Sequence, residues 1–290
     1  MPLPRTDLAI EATQLFNEQK TGEIPGVTVT EDTVQGFPVT QVEITSPEGA
    51  EAVGKPQGRY LTLDLNGLLR READAFPRAA QALARELTRL LPEGEGLSAL
   101  VVGLGNRLVT PDAVGPRAAD HTMVTRHLIQ HSPERFAPFR PVAALAAGVL
   151  GTTGVESGEL VQAVAQRIRP GLVIAIDALA ARSVHRLCST VQLADTGIIP
   201  GSGVGNARAA LNRDTLGVPV IAVGVPTVVD AATLAADLTG REPEGELGSL
   251  LVTPKDIDVL VSDVAKVIGY GVNLALQPGL TVEDVELFLS

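Results

Sequence analysis

The chain has 290 residues, enough for one large α/β domain or two small ones with a substantial core. A formal charge of -11 and a pI near 4.9 set most of the surface against a phosphate backbone. Aromatic residues make up 3% with no tryptophan, which leaves no stacking platform for single strands, and the single cysteine, Cys188, excludes an internal disulfide.

Residues 1–26 mix a short helical pattern, Leu8-Ala9-Ile10-Glu11-Ala12, with polar, proline and glycine residues, and read as an extension outside the core. Residues 1–7 carry no apolar run of the kind a signal peptide needs. Residues 27–30 and 37–44 alternate apolar and polar, which with Gly36 between them predicts an antiparallel hairpin, and 59–64 add a third strand. Residues 72–91 have the helical spacing of Ala, Leu and Phe and stop at Pro92-Glu93-Gly94. From Leu97 onward strand and helix alternate, with strands expected at 99–103, 141–146, 172–176, 189–193 and 218–223. Helices are expected at 114–130, 157–168, 228–238 and 254–275. The pattern predicts an α/β fold in three layers: a mainly parallel central sheet with helices on both faces, plus a small antiparallel strand region at the N-terminus. The apolar stretch 218–236 is broken by Pro219, Pro226 and Asp230 and does not read as a membrane span. Residues 240–248 are the one polar spacer, so the chain reads as one domain, with neither nucleic acid nor membrane as a direct partner and a cytoplasmic location.

Two carboxylates stand out. Asp112 follows the apolar run 99–103 through Gly103-Leu104-Gly105-Asn106, and Asp177 ends the run Leu172-Val173-Ile174-Ala175-Ile176. Each is expected at the carboxyl end of a buried strand, where open α/β sheets place their chemistry. Two acids at one sheet edge share protons, and hydrolases use such sharing to activate water. The bland alternative is that each caps a helix, Asp112 before 114–130 and Asp177 before Ala178-Leu179-Ala180-Ala181.

The other motifs are weaker. Gly103-Leu104-Gly105 lacks the third glycine of a dinucleotide fingerprint, and its glycines instead allow a sharp exit that carries Asn106 and Asp112 over the sheet edge. The loop 200–206, with Gly201, Ser202 and Gly203, matches neither a P-loop nor a nucleophile elbow, and its N–H groups suit a substrate carbonyl. His127 and His131 share a helix face without a zinc-protease signature, and His185 with Cys188 reads better as a buried thiol than as a nucleophile pair. Asp195, Asp230, Asp237, Asp256 and Asp258 read as caps or solvated charges.

Several blocks together resemble the germination proteases of spore-forming bacteria. They include Arg5-Thr6-Asp7-Leu8-Ala9-Ile10-Glu11-Ala12, residues 101–106 with Thr110-Pro111-Asp112-Ala113-Val114-Gly115-Pro116, Gly148 to Glu156, 173–182, Asp195-Thr196-Gly197-Ile198, 200–206 and Val252-Thr253-Pro254-Lys255. The resemblance covers nearly the whole chain. It implies an endopeptidase that degrades small acid-soluble, DNA-coating spore proteins at germination, acting in the spore core as a homotetramer and needing no cofactor. It places the family's two essential aspartates at Asp112 and Asp177. It also implies a zymogen that cuts itself between Asp7 and Leu8, so that residues 1–7 are the propeptide and 8–290 the protease domain. Asn106, Gly201, Ser202 and Gly203 are the candidate substrate contacts. The turn Gly105 to Asp112 is also similar to that of the hydrogenase maturation proteases, so the alternative is a metal-dependent endopeptidase that uses the same carboxylates with a histidine. This chain departs from the family in its short segment 239–249, in Ile199 and His185, and in a prosegment of only seven residues.

Overall fold

The structure, a computed structural model, describes residues 6–19, 24–94, 97–201, 208–239 and 250–290. In chain order the first part holds α1 (Ala9–Gln19), β1 (Val27–Val34), β2 (Phe37–Ile44), α2 (Pro47–Val53), β3 (Gly58–Asp64), α3 (Asn66–Leu69) and α4 (Ala75–Thr88). The expected hairpin forms with β1 and β2 in full antiparallel register from Val27↔Ile44 to Val34↔Phe37. Its two turn residues, Gln35 and Gly36, both take positive φ (52° and 81°), as a twist-matched two-residue turn requires.

The second part holds β4 (Ala99–Leu104), α5 (Val114–Asp120), α6 (Arg126–His131), α7 (Pro133–Phe136), β5 (Val142–Gly148), α8 (Leu150–Thr153), α9 (Ser157–Ile168) and β6 (Leu172–Ala181). It continues with β7 (Thr190–Ala194), α10 (Arg213–Leu216), β8 (Val220–Asp230), α11 (Ala231–Thr239), β9 (Leu251–Val252), α12 (Ile257–Leu276) and α13 (Val282–Leu289). The strands join one mixed sheet in the order β1-β2-β3-β7-β8-β6-β4-β5, with β9 on the end of β8. Its block β5-β4-β6-β8 is parallel, and β7 runs the other way to join the antiparallel N-terminal arm.

The sheet is covered on both faces, because successive side chains of a strand point to opposite sides. Val101, Ile174, Ile176, Ile221 and Val223 pack under α4, α5 and α12. The alternate set, Leu100, Val102, Val173 and Ala175, packs under α9, while α1 covers Val42, Ile44 and Tyr60 of the arm. Helix α12 has 20 residues and is long and apolar enough to cross a bilayer, but it is largely buried and serves as the core helix against α4 and α5.

Four local expectations are corrected. The helix expected at 114–130 is two helices, because Thr125 is taken out of the spiral: its N–H and hydroxyl bond Val142 O and Arg140 O, and Met123 N–H bonds Asn273 Oδ1. Side-chain and cross-element hydrogen bonds here outcompete helix continuation. The strand expected to stop at Ile176 runs on to Ala181, since residues 177–181 pair with β8 despite helix-prone alanines. Strand β8 correspondingly runs to Asp230, so the helix expected from 228 begins at Ala231. Finally, the N-terminal stretch is no mere extension. Leu8 and Ala9 are fully buried, and Leu8 sits among Leu179, Ala181, Leu187 and Val229.

Candidate active site

The site arises where two neighbouring strands part. Strands β4 and β6 run in parallel register up to Gly103↔Ile176; β4 then leaves while β6 continues, so the main chain of β6 from Asp177 onward is bare on that side. Glycine permits the departure. Gly105 has φ +104°, and a Cβ there would lie 2.2 Å from the Asp112 carbonyl oxygen and 2.8 Å from its Oδ1. The chain then loops back and ends in a single 3-10 turn, Thr110–Asp112.

That turn is fixed from several sides. Asn106 N–H donates to Asp112 Oδ2 at 2.7 Å, Asp112 N–H donates to Val109 O at 2.8 Å, and Thr110 Oγ1 donates to Asp258 Oδ1 on α12 at 2.9 Å. The following helix, α5, lies almost in contact with the sheet backbone. A Cβ on Gly115 would fall 2.3 Å from Leu104 O and 2.4 Å from Ile176 O. Asp112 is thereby pressed against the seam between β4 and β6, and both Asp112 and Asp177 line one cavity of about 410 Å³.

Neither aspartate caps a helix. Asp112 lies within its turn and α5 has no side-chain cap, while Asp177 lies inside β6 with Gly224 as its register partner. Asp177 is 5% exposed and its Oδ1 accepts the N–H of Ala178 at 2.9 Å. Burial holds its carboxyl proton far more tightly than usual, and the negative charges of Asp112 and Asp7 push the same way. Asp112 is shifted upward as well, by its own burial, but the Asn106 N–H favours its ionised form and opposes the shift. Arg208, on the cavity wall, is engaged by Glu156.

The N-terminal segment lies along the bare edge of β6. Asp7 N–H donates to Ala180 O at 3.0 Å, and Ala180 N–H donates to the Asp7 carboxylate at 2.9 Å. Gln192 on β7 donates through Nε2 to Asp7 O at 3.2 Å and accepts the Ala9 N–H at 2.7 Å. Farther on, the buried Glu11 carboxylate accepts the N–H groups of Arg182 (2.7 Å) and Ser183 (3.0 Å) and the Thr6 hydroxyl, and forms an ion pair with the Arg186 guanidinium at 3.4 Å. Asp7 itself lines the cavity shared by Asp112 and Asp177.

The remaining expected residues fall as follows. Gly201 lines the cavity, while Ser202 and Gly203 lie outside the described residues. Asn106 contributes its backbone N–H, and its side-chain oxygen serves its own loop by accepting from Leu108 N–H at 3.0 Å. Cys188 is fully buried with its thiol pushed up to about 12, mainly by burial and further by Asp256, which makes it a poor nucleophile. His131 bonds the carbonyl of His127 on its own helix, and no histidine is among the described residues lining the cavity. Asp230 caps α11 through Thr233 N–H, and Asp195 pairs with Arg59 at 2.9 Å. Gln192 and Glu11 were not singled out by the sequence. The one available signal was a glutamine inside the otherwise apolar run 191–194.

A sequence model of the family described as Germination protease matches residues 5–240. Germination protease of Caldanaerobacter subterraneus subsp. tengcongensis is 44% identical, with 98% of each chain covered. The germination protease of Clostridium perfringens is 42% identical over 99% of each chain, and that of Priestia megaterium is 38% identical over 97% of this chain and 95% of its own. A match across most of the length, joined to relatives of this similarity, identifies the chain as a member of the germination protease family, a protease of spore germination.

Proposed function

We propose that the chain is an endopeptidase that begins the breakdown of small acid-soluble spore proteins in the spore core, made as a zymogen that cuts its own Asp7–Leu8 bond, with Asp112 and Asp177 as its water-activating pair. One observation carries the reading: the two aspartates line one cavity beside a bare strand edge, Asp7 lines it with them, and the Asp7 N–H is bonded to that edge. A main-chain N–H bonded to an open strand edge is the kind of contact through which β-adding peptides bind.

In this mechanism Asp177 carries the proton, because it is the more deeply buried and, among the described residues, the Ala178 N–H alone is seen to support a charge. Asp112, supported by the Asn106 N–H, is the carboxylate. It takes a proton from water as the oxygen bonds to the carbonyl carbon, while Asp177 donates its proton to the carbonyl oxygen. The tetrahedral species collapses when the proton held by Asp112 passes to the leaving nitrogen. The C–N bond breaks, the carbonyl re-forms, and the proton on its oxygen returns to Asp177. The pair titrates as a unit, so its pH–rate profile belongs to both groups.

Asp112→Asn and Asp177→Asn are each expected to lower cleavage of a spore-protein substrate by about 100-fold or more, the scale of a lost acid or base, with circular dichroism unchanged. Normal turnover by either variant would refute the assignment. The same reading includes a homotetramer, which light scattering of the purified protein tests.

A further inference from the structure

The carboxamide of Gln192 spans Leu8, bonding the carbonyl of Asp7 on one side and the N–H of Ala9 on the other, at 3.2 and 2.7 Å. Its orientation is fixed by the backbone, since a carbonyl can only accept and an N–H can only donate. Gln192 is 7% exposed, so this bridge is largely screened from bulk water. Gln192 also stands in register with the catalytic centre. Thr62, Gln192, Gly224 and Asp177 form one row across β3, β7, β8 and β6. Members of one row share a face of the sheet. Gly224 brings no side chain of its own, and Leu179 folds over it into the space a Cβ would take. The carboxamide and the acid thus lie on the same face with an apolar side chain between them, where hydrogen bonds are stronger than in water.

We propose that Gln192 polarises the carbonyl of the bond that is cut: its Nε2–H holds the oxygen as electron density shifts onto it, beside the proton that Asp177 supplies, and its Oε1 holds the N–H of the second residue beyond. The proposal rests on the reading above, in which Asp7–Leu8 is cut by the Asp112–Asp177 pair. In the ground state the 3.2 Å contact is long; it shortens as the oxygen gains charge, so it acts mainly on the transition state. The second contact makes a demand on substrates. A proline at the position of Ala9 has no N–H for Oε1.

The test uses the full chain and follows the first-order loss of residues 1–7 by intact-mass spectrometry, with melting curves to confirm folding. Asp177→Asn runs beside it as the control for the centre itself. Gln192→Ala is expected to slow the loss by about 100-fold, as removal of an oxyanion donor does. Gln192→Glu keeps an acceptor for Ala9 but offers no donor when ionised. It should be as slow as the alanine variant at neutral pH and regain speed in acid, where the neutral carboxyl has an O–H to give. With the processed enzyme and a peptide of residues 1–16 as substrate, Gln192→Glu should lower kcat while KM stays within about threefold, and an Ala9→Pro peptide should be cut poorly. A Gln192→Ala rate within about threefold of the parent, or a glutamate variant at full speed at neutral pH, overturns the proposal, since a purely anchoring glutamine predicts both. If Gln192→Ala does not fold, the isosteric glutamate carries the decision. Continued cleavage by Asp177→Asn would instead strike at the two-aspartate reading.

Discussion

At the scale of single residues, Asp177 is set where a carboxylate is least comfortable, and its cost to the fold can be measured. In the unfolded chain it titrates as an ordinary carboxyl; in the folded protein it holds its proton to much higher pH. Between those two values the folded state carries the extra proton. The full stability is therefore present at low pH and is lost as pH rises through the folded value, beyond which the slope vanishes. Asp177→Asn keeps the shape without the charge. Its melting temperature should exceed that of the parent at neutral pH and vary less as pH rises above the ordinary carboxyl range. Parallel curves would mean that some other group sets the pH dependence. Sequence pattern identified both aspartates, because each follows an apolar run in a small-residue context. It could not find Gln192 or Glu11, whose importance comes from partners 183 and 171 positions away.

At the scale of elements, the seam between β4 and β6 decides where Asp112 stands. Helix α5 approaches it so closely that Gly103 and Gly115 face each other with no room for a methyl group. The obstructing atoms are backbone, which cannot swing aside. Gly115→Ala should therefore destabilise the protein by about 3 kcal/mol or more, at or beyond the upper end of ordinary overpacking. Denaturant titration measures this, and a loss under 1 kcal/mol would show that the helix can shift. Such a shift would also move Asp112, so activity should fall further than the folded fraction. The elements themselves were largely legible: the hairpin, third strand, β4, β5, β7 and α9 lie where alternation and helical spacing put them. The errors share a cause. Residues 178–181 and 228–230 have local preferences that suit helix or strand, and pairing between β6 and β8 decides for strand. The break near Thr125 depends on β5 and α12, which no local window contains.

At the scale of the whole molecule, the new N-terminus that the proposed cut would create stays tied into the sheet. Leu8 contributes roughly 2 kcal/mol of apolar burial, and Glu11 adds charge-assisted bonds to the chain beyond β6. Three carboxylates, Asp7, Asp112 and Asp177, surround the proposed cut, and the proton that Asp177 holds relieves their repulsion. The appearance of a species beginning at Leu8, seen by mass spectrometry as loss of residues 1–7, should therefore be fastest where Asp177 holds its proton and Asp112 is ionised, and should slow as pH falls through the raised Asp112 value. Full activity in protein that retains Met1 would contradict the zymogen reading.

The bare flank of β6 carries a final consequence. A strand edge reads main-chain N–H and C=O groups, and a compact protein has already spent these on its own helices and sheets. Only polypeptide that is unravelled, or willing to become so, can lie along residues 177–181. If the proposed cut is made at this cleft, choice of target is first a matter of conformation and only then of side chains, so a well-folded bystander is spared whatever sequence it contains.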